Sequence, residues 1–254
     1  MLKIDHVTKS FGGLMAVNNV TFELDHTGIT GLVGPNGSGK TTLFHLITGF
    51  YRLDSGQIHF KDERISGLAP HVISRMGLVR SFQQTRVLPF LSALENLMAA
   101  SAAQAGEHLF SVFFQPRRVK QEESRNKERA IQILELLKLE SLSEHLAGRL
   151  SFGQQKLLEL GRVLMAEPKL ILLDEPTAGI NPTLIRQLVD VIRELARKKI
   201  QVFLIEHNMP LVAEICEKVF MMDSGSLIFS GTPSEAIQNP RVIEAYLGSE
   251  GHVA

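Results

Sequence analysis

The 254 residues carry 27 Lys and Arg against 27 Asp and Glu, a formal net charge of zero, so the basic excess of a non-specific nucleic-acid binder is missing and no nucleic-acid partner is expected. The single cysteine, Cys216, excludes an internal disulfide and a thiol-zinc site, and no apolar run approaches the roughly 18 residues that would span a bilayer. The length suits one large α/β domain with or without a small lobe, and the opening Met1-Leu2-Lys3-Ile4-Asp5 lacks signal-peptide character, so a cytoplasmic chain that meets membranes only through partners is expected.

Residues 2–8 and 17–24 alternate apolar and polar positions as strands do, with Ile4 and Val7 in the first and Val17, Val20, Phe22 and Leu24 in the second. Between them Phe11-Gly12-Gly13 forms a turn. Phe11 is either a core residue or an aromatic on which a nucleotide base stacks. Next, the apolar run Ile29 to Val33 meets Gly34-Pro35-Asn36-Gly37-Ser38-Gly39-Lys40-Thr41-Thr42, followed by the amphipathic stretch Leu43 to Ile47. This is the P-loop pattern between a strand and a helix, where loop N–H groups and the helix dipole converge on an anion. Glycines 34, 37 and 39 permit positive φ and close phosphate approach; Lys40 reaches the β- and γ-phosphates, the Thr41 hydroxyl ligates Mg²⁺, and Thr42 is placed to contact the α-phosphate. A Gly-rich structural turn is the bland alternative.

Asp54-Ser55-Gly56 turns into a short strand at Gln57 to Phe60, and a short helix is expected around His71 to Arg75. Gly77-Leu78-Val79-Arg80-Ser81-Phe82 reads as a buried strand that ends on Gln83 and Gln84. Gln83 would lie at the crevice beyond the carboxyl end of the sheet, where α/β folds bind ligands. From Ser92 to Arg149 the strand pattern gives way to helix, with Ala130, Ile133, Leu134 and Leu137 on one stripe. The basic cluster Arg117, Arg118 and Lys120 is followed at once by Glu122 and Glu123 and reads as a solvated helix start. Ser151 is a good N-cap; Phe152, Gly153 and Gln154 fill the first turn that it opens, a second set of anion-binding amides.

Leu170 to Leu173 form an unbroken apolar run suited to a parallel strand buried on both faces. The run ends on Asp174 and Glu175. Asp174 is placed to hold Mg²⁺ through water, and Glu175 to act as general base toward the attacking water. Asn181-Pro182 caps a further helix. Val202 to Ile205 is another buried strand, carrying Glu206 and His207 at its end, and His207 is expected to contact the γ-phosphate. Asp223-Ser224-Gly225-Ser226 marks a hairpin turn, and short helices close residues 233–247.

In order, the P-loop, Gln83, Leu150-Ser151-Phe152-Gly153-Gln154, Asp174-Glu175 and His207 resemble the nucleotide-binding subunits of ABC transporters over essentially the whole chain. The resemblance implies an α/β fold: a P-loop NTPase (RecA-like) core with an N-terminal antiparallel β subdomain, spanning 1–91 and 165–254, and an inserted α-helical subdomain at 92–164. It implies ATP and Mg²⁺ as cofactors. Phe11 matches the aromatic that stacks on adenine and Val17 is counted with it among the nucleotide contacts; Gln83 is the Q-loop residue, touching Mg²⁺ and the reacting phosphate. Ser151, Phe152, Gly153 and Gln154 belong to the signature motif that closes on the nucleotide of a second subunit. Implied partners are a second copy or a paralogous ATP subunit, membrane permease subunits on the inner face of the cell membrane and, indirectly, a solute-binding protein.

Phe11-Gly12-Gly13-Leu14, Gly153-Gln154-Gln155, Ala178 to Pro182, Ile205 to Met209 and Asn239 to Gly248 are most similar to ATP subunits of branched-chain amino-acid importers. Subunits for urea, other amides and lipopolysaccharide export share several of these stretches. Phe152 stands where the general signature has glycine, and Asn181 where aspartate is common. Repair or chromosome clamps of the same superfamily carry long coiled coils, for which the insertion here has neither the length nor the heptads. Soluble translation ATPases fuse two cassettes, and one P-loop is present.

Overall fold

A computed structural model of the chain describes residues 1–24, 28–81, 87–101 and 116–250. They form two compact units, one of Met1–Arg80, Lys169–Pro176 and Ile192–Ala254, the other of Ser81–Pro168 and Thr177–Val191. The second unit thus starts earlier than the helical insertion read from the sequence and takes in Thr177–Val191 as well.

The described strands are β1 (Leu2–Phe11), β2 (Leu14–Leu24), β3 (Ile29–Val33), β4 (Ser55–Phe60), β5 (Glu63–Arg64), β6 (Leu78–Arg80), β7 (Leu170–Asp174), β8 (Gln201–Ile205), β9 (Lys218–Asp223) and β10 (Ser226–Gly231). The described α-helices are α1 (Lys40–Ile47), α2 (Pro70–Arg75), α3 (Ala93–Met98), α4 (Pro116–Leu136), α5 (Phe152–Met165), α6 (Pro182–Arg197), α7 (Met209–Ile215), α8 (Pro233–Gln238) and α9 (Pro240–Glu250).

The first unit holds both sheets. An antiparallel sheet has the order β2-β1-β4-β5, and a larger one the order β10-β9-β3-β8-β7-β6. In the larger sheet β3, β8, β7 and β6 run parallel, with β9 parallel to β3 and β10 returning as its antiparallel edge. Every residue of β3, β7 and β8 is buried, as their mostly apolar composition suits in a sheet covered on both faces, with Thr30, Asp174 and Gln201 the buried polar exceptions. The β9–β10 turn places Ser224 and Gly225 at φ 46° and 80°, the positive pair that a tight hairpin demands.

Register brings the chemistry together. Leu32 and Asp174 both pair with Ile205, so β7 and β8 end level and β3 only one residue further on, at Val33, and the residues that follow emerge close together. Beneath lies an aromatic cluster. Phe203 of β8 has ring centroids 5.8 Å from Phe22, 5.2 Å from Phe44 and 6.4 Å from Phe220, so it joins β2, α1 and β9 in one core.

In the second unit Ser92 and Glu95 form a reciprocal capping box at the start of α3, which ends at Met98. A β-carbon on Gly161 of α5 would lie 2.7 Å from Leu137, 2.9 Å from Leu97 and 3.1 Å from Ile133. That glycine lets α5 pack closely against the elements carrying those three side chains. One helix was not anticipated from sequence: α7 is capped by Asn208, whose Oδ1 accepts from Leu211 N at 3.1 Å, with proline in its first turn. The Asn-Met-Pro triplet is the start signal that would have marked it.

Replacing Phe203 by alanine empties the aromatic cluster and should destabilise the chain by about 3–5 kcal/mol. Urea unfolding of variant and wild type measures it, and a loss well below that range would mean that the cluster closes over the gap.

Candidate functional site

Three strand ends and one loop build the site within the first unit. Between β3 and α1 the backbone turns through Gly34, Gly37 and Gly39 at φ 142°, 79° and 98°. A β-carbon at Gly34 would stand 2.0 Å from the Met222 carbonyl oxygen, and one at Gly39 2.2 Å from that of Ala16. At Gly37 nothing lies within 4 Å, so its need is conformational alone. Lys40, the first residue of α1, is 5% exposed. Its Nζ donates to Gly34 O at 2.9 Å, Pro35 O at 2.8 Å and Ser38 Oγ at 3.2 Å. Burial lowers its pKa, while Glu175 and Asp174 act in the other direction.

Glu175 follows β7 with φ 48°. A glutamate in the left-handed region is an uncommon and strained arrangement of the kind that gathers at functional sites. Its N–H donates to Ile205 O at 3.0 Å, which ties the turn to β8. His207, just beyond β8, brings Nε2 to 2.7 Å from Glu175 Oε1. Asp174 is different, its side chain being fully buried. Arg80 Nη2 donates to its Oδ2 at 2.6 Å, while Oδ1 is buried with no hydrogen-bond partner among the described residues. Burial raises the Asp174 pKa, Arg80 opposes the rise, and Glu175 adds to it.

A cleft of about 510 Å³ joins these parts. Asn36, Gly37, Gly39, Lys40, Thr41 and Thr42 line it from the loop and α1, and Glu175 and His207 from the strand ends. Its apolar wall is Phe11, Leu14, Met15 and Ala16. Phe11 is 41% exposed and backed edge-on by Tyr51, centroids 5.2 Å apart, so it is a wall rather than core. Val17 is fully buried in the hydrophobic core and does not line the cleft. Gly34, Pro35 and Ser38 do not line it; the carbonyls of the first two and the Ser38 hydroxyl are instead the acceptors of Lys40. Thr41 lines the cleft and Asp174 contributes a buried carboxylate oxygen without a hydrogen-bond partner among the described residues; one hydroxyl and one carboxylate are a sparse donor set of the type that magnesium completes with phosphate oxygens and water. The site therefore fits that ion.

Gln83 lies outside the described residues. Ser151 to Gln154 belong to the second unit. There Ser151 Oγ accepts from Gln154 N at 3.3 Å, and Gln154 Oε1 accepts from Ser151 N at 2.9 Å. The capping box therefore uses the third amide of the turn, leaving those of Phe152 and Gly153 without intrahelical partners. A β-carbon on Gly153 would come within 2.2 Å of the end of the Leu184 side chain, so a larger residue there would have to push that leucine aside. Asn181 caps α6 through Oδ1, which accepts from Leu184 N at 3.0 Å. Asparagine thus does for the helix what aspartate would, without the charge.

Sequence reasoning missed two residues. Arg80 had the signal that exposed Asp174, a charge closing an apolar strand. Tyr246 of α9 had none: its hydroxyl lies 3.6 Å from Met209 Sδ and accepts from the Gly34 backbone N–H, while burial raises its pKa.

Residues 17–178 match the ABC transporter family, and residues 226–252 match the branched-chain amino acid ATP-binding cassette transporter family. The chain is 38% identical over 249 residues to the high-affinity branched-chain amino acid transport ATP-binding protein LivG of Escherichia coli, covering 98% of each. It is 38% identical over 250 residues to the probable LivG of Archaeoglobus fulgidus, covering 98% of this chain and 96% of that protein. A crystal structure of the ADP conformation of an ATP-binding cassette from an ABC transporter superposes with a TM-score of 0.83 at 36% identity, covering 98% of both chains. A nucleotide-free cassette gives 0.83 at 35% identity, covering 97% of this chain and 98% of the other.

Gly37→Ala should cost about 1–2 kcal/mol, the penalty of a left-handed non-glycine residue. Gly39→Ala should cost more, because the Ala16 carbonyl must also move; chemical denaturation of the pair reads the difference, and equal costs would mean that the contact is soft. His45 provides a pH test. Burial first, and Arg80 second, lower its pKa from 6.5 to about 4, so between those values the unfolded chain binds the extra proton. Stability should fall as pH drops from about 6.5 to about 4, with no contribution from this group above that window. Unfolding midpoints across the window should fall less steeply for His45→Gln than for wild type; parallel curves would remove His45 as the cause.

Proposed function

Since the chain belongs to the ABC transporter family, whose ATP-binding subunits hydrolyse ATP to drive transport, we propose that it powers uptake of a branched-chain amino acid. The match of residues 226–252 and the names of the relatives support that solute class. One observation carries the catalytic reading: Lys40, Thr41, Glu175 and His207 line a single cleft whose opposite wall is apolar.

In this reading adenine lies on Phe11, and the phosphates rest on the amides of the loop. Lys40 exchanges its carbonyl partners for phosphate oxygens, a change from neutral to charged acceptors that favours the nucleotide. Thr41, Asp174 and Gln83 would hold magnesium, which would supply neutralisation of phosphate charge. Glu175 takes a proton from the attacking water. His207, already 2.7 Å from that carboxylate, keeps it turned toward the reacting phosphate and contacts the phosphate itself. Ser151, Phe152, Gly153 and Gln154 close the site from a second copy or a paralogous subunit, two-fold symmetry giving two such sites.

Permease subunits hold the assembly on the inner face of the membrane, and a solute-binding protein acts through them. No described helix is long and apolar enough to cross a membrane itself. In the second unit Phe90 is 87% exposed on a loop clamped by buried Asn96, whose side chain bonds to Leu88 N and to the carbonyls of Leu88, Leu91 and Ser92. A rigidly held apolar protrusion supports docking to the permeases there.

Glu175→Gln should leave ATP affinity unchanged and lower turnover by about 10²–10⁴, the range for losing a general base. In the assembled transporter it should also abolish uptake of labelled leucine. Equal loss of ATP binding and turnover would remove Glu175 from the base role, and wild-type complexes that take up no branched-chain amino acid would remove the solute assignment.

A further inference from the structure

Arg80 ends β6, and Asp174 ends its parallel neighbour β7. Their side chains are 8% and 0% exposed, so the ion pair is taken almost wholly out of water. The guanidinium is also seated on α1, its carbon lying 5.9 Å from the Phe44 ring centroid. Arg80 is therefore fixed between the aspartate and the helix that carries Lys40 and Thr41. Its bond uses Oδ2 and leaves Oδ1 as the buried oxygen without a hydrogen-bond partner among the described residues. Native structures seldom leave such an acceptor orphaned unless a ligand, ion or water satisfies it.

We propose that Arg80 is a positioning residue for magnesium: by holding Oδ2 it fixes the rotation of the Asp174 carboxylate and keeps Oδ1 free for the ion or its water. The inference rests on the reading of Asp174 as a magnesium ligand. Arginine suits the task because its planar fork stays charged and has a fixed donor direction, whereas lysine offers a rotatable point charge. Partners that orient a metal ligand from behind characteristically govern affinity for the metal. A merely structural ion pair would instead affect folding, and nucleotide binding with and without the metal alike.

The test is equilibrium binding of a fluorescent ADP analogue to the full chain, titrated with Mg²⁺ and repeated in EDTA. Arg80→Met should raise the Mg²⁺ concentration at half-effect about 10–100-fold and leave affinity in EDTA unchanged. Arg80→Lys should fall between it and wild type, and it decides on the same two readouts if the methionine variant does not fold. Asp174→Asn should also raise the midpoint, and adding Arg80→Met to it should produce no further shift, because Arg80 acts through Asp174. An unchanged or lowered midpoint in the Arg80 variants, with Asp174→Asn shifted, overturns the proposal alone, as does equal weakening in EDTA. An unshifted midpoint in Asp174→Asn overturns the magnesium-ligand reading and this proposal with it.

Discussion

Backbone meets backbone on both sides of the loop after β3, and the cleft depends on that close approach. Gly34 abuts the Met222 carbonyl of β9 and Gly39 the Ala16 carbonyl of β2, so the loop is gripped between strands of the two sheets in the first unit. Neither grip leaves room for a side chain. The hydrogen bonds of Lys40 to Gly34 and Pro35 then hold the turn from within. Because the loop is fixed before any ligand arrives, its amides need little reordering to meet an anion, which is the basis of preorganised electrostatic binding.

Charge at the strand ends is arranged by depth. Asp174, the last residue of β7, is buried and answered by a buried arginine. Glu175, one residue further, is partly exposed and paired with a slightly more accessible histidine. The left-handed backbone at Glu175 separates these neighbours, aiming one carboxylate into the sheet edge and the other into the cleft. Two acids one position apart thereby acquire different environments, the usual means by which adjacent carboxylates take separate roles.

Glycines in the second unit serve another purpose. Gly161 and Gly153 are helical, without positive φ, and each faces a side chain that a β-carbon would strike. Their demand is for space, not for conformation. A substitution at Gly153 would displace the Leu184 side chain whatever its effect on nucleotide, which makes Ser151 the cleaner position from which to examine the signature turn.

Local pattern was sufficient for much of this protein. Mostly apolar runs marked β3, β7 and β8 because strands buried on both faces leave few places for a polar residue, the exceptions being Thr30, Asp174 and Gln201; the loop glycines, the Ser151 cap and the carboxylates after Leu173 followed from short-range chemistry. The P-loop spacing likewise named Lys40 and Thr41, which line the cleft. Pairing across the sheet was not legible. The near-level ends of β3, β7 and β8 depend on register between segments far apart in sequence, and so does the bond from Arg80 to an aspartate 94 positions away. Val17 shows the same limit in reverse: alternation correctly made it a strand residue, but only packing decided that its side chain enters the core while Leu14 and Met15 line the cleft. Sequence by itself determined most of the segments that become strands and helices, α7 being missed, and which residue types could do phosphate chemistry. Tertiary structure alone decided which of them meet, because burial and strand register are properties of the folded chain and not of any local stretch.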